Sequence, residues 1–184
     1  AIKENYSGKE YTSARLRTLN KGDWLYGRIE VSAKIPTGRG TWPAIWMLSS
    51  NWSYGGWPES GEIDIMEHVG YDPNVIHGSI HTKAYNHTIG TQKSASLNIP
   101  NATSSYHTYA IEWFADRIDF YIDQYKYFTF NNENSGWEKW PFDKKFHLIL
   151  NVAVGGNWGG VQGIDVNAFP AQMEVEFVRV YKKD

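Results

Sequence analysis

The sequence predicts an all-β sandwich formed by one domain over residues 1–184. Several short runs alternate apolar and polar residues with the period of two that belongs to a strand with one buried face. Glycine and proline clusters separate these runs: Pro36-Thr37-Gly38, Gly55-Gly56, Gly155-Gly156 and Gly159-Gly160. No long stretch carries helical periodicity. Many short strands joined by regular turns indicate a sandwich.

In chain order, Ile29, Val31, Ala33 and Ile35 alternate with Glu30, Ser32 and Lys34, a half-buried strand. Trp42 and Trp46 are four apart in the next strand and so share a face. Ile118, Phe120 and Ile122 alternate with Asp119, Tyr121 and Asp123, and Asp123-Gln124 is expected to turn a hairpin. Phe146, Leu148, Leu150, Val152 and Val154 form one face of a later strand. Near the end, Met173, Val175 and Phe177 alternate with Glu174 and Glu176.

Glu62-Ile63-Asp64-Ile65-Met66-Glu67 breaks this pattern in an informative way. Three carboxylates stand in a stretch that otherwise reads as a buried strand, and unpaired buried carboxylates are expensive. Glu62 and Asp64 share a face while Ile63 and Ile65 point to the core. Strict alternation would then send Glu67 into the core with the isoleucines. A β-bulge at Ile65-Met66 removes the conflict, because one extra residue resets the alternation and returns Glu67 to the acidic side. Three acids on one face suit glycoside hydrolysis, in which one carboxylate is the nucleophile and another the acid/base. Retaining enzymes hold that pair ~5–5.5 Å apart, whereas four regular strand steps separate Cα atoms by ~13 Å. The two glutamates must therefore lean together. Asp64, between them, can hydrogen-bond to Glu62, and its charge favours a protonated neighbour, expected to be Glu67. A solvated acidic strand face or a calcium site is the alternative. Calcium ligands, however, are usually spaced through a glycine-containing turn and not an isoleucine-rich strand.

Gly61-Glu62-Ile63-Asp64-Ile65-Met66-Glu67-His68 resembles the signature of glycoside hydrolase family 16, in its laminarinase form with the bulge. Tyr11-Thr12-Ser13-Ala14-Arg15, Thr41-Trp42-Pro43-Ala44-Ile45-Trp46-Met47-Leu48, Gly78-Ser79-Ile80-His81-Thr82, Asn151-Val152-Ala153-Val154-Gly155-Gly156-Asn157 and Phe177-Val178-Arg179-Val180-Tyr181 are similar too. The resemblance implies a concanavalin A-like β-jelly-roll of two curved antiparallel sheets with a cleft across the concave face. It implies a retaining endo-β-1,3-glucanase, with Glu62 as nucleophile, Asp64 as assisting acid and Glu67 as acid/base. No cofactor is expected for the chemistry, and a structural calcium ion on the convex side, near Glu176, is allowed. Domains of the family begin with further strands ahead of the segment matching Ala1. By that comparison these N-terminal strands are missing here, and a monomer is expected unless another chain supplies them.

Around the acids, the resemblance places the shared face of Trp42 and Trp46, and also Trp57, in the cleft, where indoles can stack on glucosyl rings. Core packing is the alternative for each. Trp158 sits among Gly155, Gly156, Gly159 and Gly160, which leave a ring uncovered, so a contact at the rim is expected. Arg15 matches a substrate-contacting family position and could equally form a surface ion pair. His81 can donate a hydrogen bond to sugar or to Asp64. Asn151, next to the glycine-rich loop, can face the cleft. The histidines show no zinc spacing, and no metal site is assigned.

Composition narrows the partners. A net charge of -2 offers no basic field for nucleic acid. The absence of cysteine excludes disulfides and thiol chemistry. No stretch approaches the ~18 apolar residues of a membrane-spanning helix. The expected partner is a polysaccharide, laminarin-type or mixed-linkage β-1,3-1,4-glucan, and location follows the substrate: secreted, outside the cell. Agarose or carrageenan cleavage is the alternative within the family, although few Lys or Arg lie near the motifs to greet a sulfated galactan. A non-catalytic carbohydrate-binding jelly roll is the alternative outside it.

Overall fold

The computed structural model describes residues 1–182. In chain order its strands are β1 (Ile2–Tyr6), β2 (Lys9–Thr12), β3 (Arg15–Arg17), β4 (Asp23–Trp24), β5 (Gly27–Lys34), β6 (Thr41–Ser49), β7 (Glu62–Glu67), β8 (Val75–His81), β9 (Lys93–Asn98), β10 (His107–Trp113), β11 (Arg117–Ile122), β12 (Tyr125–Asn131), β13 (Phe146–Val154) and β14 (Glu174–Tyr181). One antiparallel sheet runs β3-β13-β6-β7-β8-β9, with β4 also paired to β13. The other runs β12-β11-β10-β5-β14. β1 and β2 pair only with each other. This is the two-sheet jelly-roll architecture expected from the sequence.

Alternation decides which residues enter the sandwich. Ile45, Met47 and Ile63 from the first sheet meet Ile29, Val31, Ile111 and Phe120 from the second in one core. Trp113, fully buried there, donates its indole N–H to the Phe142 carbonyl at 3.1 Å. The opposite face of β6 presents Trp42, Ala44, Trp46 and Leu48 to a groove. Asp123 and Gln124 do turn the β11–β12 hairpin: Ile122 pairs with Tyr125, and Asp123 adopts φ 55. Aspartate tolerates this left-handed conformation better than most side chains.

β14 departs from the sequence expectation. Its register against β5 slips between Val175 and Phe177, so Val175 pairs with Ala33 but Phe177 pairs with Ser32. The extra residue turns Phe177 to the outer face, where the Arg179 guanidinium lies 3.8 Å from its ring centroid. Met173, Val175 and Phe177 therefore do not share one buried face. Glu176 accepts a 2.8 Å hydrogen bond from the Ser32 hydroxyl, a contact across the pair that no local pattern announces.

Candidate active site

β7 contains the irregularity that its sequence requires. Against β6, Met66 pairs with Ile45 and Asp64 with Trp46, which leaves Ile65 with no residue opposite. Against β8, Asp64 pairs with Ser79 and Glu67 with His77. Both neighbours thus count two steps where β7 counts three. Ile63, Ile65 and Met66 all lie in the core. Glu62, Asp64 and Glu67 all line the groove on the other face, which encloses about 1020 Å³. The bulge is what lets three carboxylates and three buried apolar residues share one six-residue strand.

The same groove is lined by Trp42, Trp46, Trp57, His81, Trp158, Arg15 and Asn151. His81 approaches from β8, with Nε2 3.2 Å from Asp64 Oδ2 and 3.9 Å from Glu62 Oε1. Trp42 donates its indole N–H to Glu67 Oε1 at 3.0 Å. Trp46 donates to Asn151 Oδ1 at 2.8 Å. The Arg15 guanidinium lies 4.6 Å from the Trp46 ring centroid, a cation–π contact in place of the alternative surface ion pair. Trp158 stands edge-on to Trp42 at 5.6 Å and to His77 at 4.9 Å. Trp57 is 36% exposed and leans toward His81 and His87, which leaves much of its ring open to the groove.

Burial dominates the electrostatics. It pushes Glu62 and Asp64 well above the usual carboxylate range and raises Glu67 as well. Asp64 adds to the rise at Glu62, and Glu67 adds to the rise at Asp64. Hydrogen bonds oppose this: the Trp42 N–H draws Glu67 down and the Trp57 N–H draws Glu62 down. His81 is lowered by burial, with Glu62 and Glu67 pulling the other way. The upward push is thus shared by all three acids and is stronger at Glu62 and Asp64 than at Glu67, because burial disfavours the charged form of each.

Atoms of Glu62, Asp64 and His81 converge within 4.8 Å, the only such trio among the described residues. Within it His81 Nε2 lies 3.2 Å from Asp64 Oδ2, an oxygen that has no hydrogen-bond partner. At Glu176, one carboxylate oxygen is engaged by Ser32 and no trio of ligating side chains forms among the described residues. Sequence reading overlooked His77 and Ser79, which also line the groove. Their signal was present: His77, Ser79 and His81 are polar at a period of two along β8. His87 also lines it, from a turn of 3-10 helix, His87–Ile89, for which no periodicity exists.

The profile of "Glycosyl hydrolases family 16" matches residues 3–178. The chain belongs to this family. It is 55% identical over 186 residues to the "Beta-glucanase" of Rhodothermus marinus, covering 97% of this chain and 65% of that protein. It superposes on the X-ray structure of the laminarinase from Rhodothermus marinus with a TM-score of 0.97 and 54% identity, covering 98% of this chain and 75% of the other. It is also 40% identical over 174 residues to the "Beta-1,3-glucan-binding protein" of Penaeus monodon, covering 80% of this chain and 48% of that protein. The chain therefore spans less than two thirds of the length of these two relatives.

Proposed function

We propose that this chain carries the catalytic centre of a retaining endo-β-1,3-glucanase, active on laminarin-type glucan and on mixed-linkage β-1,3-1,4-glucan. The observation that carries the reading is the bulge that brings Glu62, Asp64 and Glu67 onto one groove face. Kinship with a β-glucanase and a laminarinase supports it. In the first step Glu67 gives its proton to the glycosidic oxygen as that bond breaks, and Glu62 attacks the anomeric carbon to form a glycosyl ester. In the second, Glu67 takes a proton from water, whose oxygen attacks the same carbon and releases Glu62. Asp64 and His81 hold Glu62 in place. The residues account for every proton, and no cofactor is needed. A polymer of this size is met outside the cell, so secretion is part of the proposal.

A binding-only role is the second reading, favoured by the likeness to a β-1,3-glucan-binding protein. Reducing-sugar release from laminarin, lichenan, agarose and carrageenan separates the readings. Hydrolysis of the first two, abolished in Glu62→Ser with laminarin binding retained, is the expected result. Laminarin bound without product by the parent chain would replace the enzyme with a binding module. Undiminished turnover in Glu62→Ser would remove Glu62 from the nucleophile's role.

A further inference from the structure

Trp42 does not simply offer a face to sugar. Its indole N–H is spent on Glu67 Oε1, 25 residues away in sequence. The helical turn α1 (Gly156–Gly159) packs against the indole. A Cβ built on Gly156 would stand 3.3 Å from the Trp42 ring, and one built on Gly159 would stand 2.9 Å from the Trp42 Cβ. Trp158, from the same turn, presses its edge at 83° to the ring. Larger residues at 156 and 159 would crowd the indole that donates to Glu67. Trp46, on the same face of the same strand, has the same chemistry but gives its N–H to uncharged Asn151.

We propose that Trp42 is a positioning residue: wedged by the glycine turn, it holds the Glu67 carboxylate in place and sets the pH at which Glu67 gives up its proton. The inference rests on the glucanase reading. Other ionisable groups lining the groove with Glu67 are Glu62 and Asp64 on β7, His77 and His81 on β8, and His87 on the 3-10 turn. β6 contributes Trp42 and Trp46, α1 contributes Trp158 and β13 contributes Asn151, none of which titrates. Arg15, from β3, is stacked on Trp46. An N–H donated to a carboxylate favours its charged form. Losing the donor makes Glu67 keep its proton to higher pH, so the acid needed for the first step persists further into alkali.

Trp42→Phe keeps an aromatic ring and removes the N–H. The alkaline limb of kcat/KM on laminarin should move up by about one pH unit, the scale of one charge-assisted hydrogen bond. The 13C titration of the Glu67 carboxyl, followed by NMR, should move the same way. Trp46→Phe should move neither. Gly159→Ala, which displaces the indole without deleting it, should shift both upward and serves if Trp42→Phe does not fold. A higher KM for Trp42→Phe with an unmoved limb and an unmoved Glu67 titration would make Trp42 a stacking platform and overturn the proposal. If the parent chain cleaves no glucan, the glucanase reading fails, yet the NMR titration still decides what Trp42 does to Glu67.

Discussion

Deleting Met66 should leave the protein folded with Glu67 still in the groove. From Asp64 to Glu67, β6 and β8 each supply two register steps, Trp46 to Ala44 and Ser79 to His77. Removing one residue from β7 makes its count two as well. Neither neighbouring strand has to slide, and Ile65 gains Ile45 as a regular partner. The shortened Glu62-Ile63-Asp64-Ile65-Glu67 alternates without a bulge, so every acid stays on the groove face. The loss is one methionine side chain that is 0% exposed. A buried large-to-small change costs about 2–5 kcal/mol. For a domain of this size each kcal/mol lowers Tm by roughly 2–4 °C. A figure near 3 kcal/mol corresponds to a drop of about 6–12 °C. Thermal unfolding followed by circular dichroism measures the drop, and laminarin hydrolysis measured beside Glu67→Gln reports the position of the acid. Activity should fall but stay above that of Glu67→Gln. Outright unfolding, or a folded variant as inactive as Glu67→Gln, would mean that the deletion turns Glu67 inward and that the count of one extra residue is wrong.

His68 sits at 0% exposure with both ring nitrogens unpartnered, and burial pushes its pKa down to about 4. The unfolded chain takes up that proton near pH ~6.5, so the native state loses about 3 kcal/mol as pH falls from there through the folded value. In urea titrations across this window, His68→Leu should show a shallower loss of stability than the parent chain, and an equal slope would clear His68 of the effect. Gly70→Ala should destabilise the turn that launches β6. The added Cβ would lie 1.8 Å from the Gly38 carbonyl oxygen and 2.5 Å from the Thr41 hydroxyl. About 1–3 kcal/mol of destabilisation is expected from that overlap, and an unchanged melting temperature would show that the turn adapts.

The acidic strand could be read without coordinates because its conflict is local. Six residues hold both the carboxylates and the apolar side chains whose faces must differ, and alternation is a property of a single backbone. The Asp123-Gln124 turn was legible for the same reason. The slip in β14 was not, since it depends on where Ser32, 144 residues away in sequence, meets Glu176. The pairings inside the groove belong to this second class. Trp42 and Trp46 look alike in sequence, with the same strand, face and ring. One meets Glu67 and the other Asn151 only because β7 and β13 lie on opposite sides of β6 in the sheet. Side-chain period is written along a strand, whereas the partner of each polar group is chosen by register between strands, and register is a property of the assembled sheet.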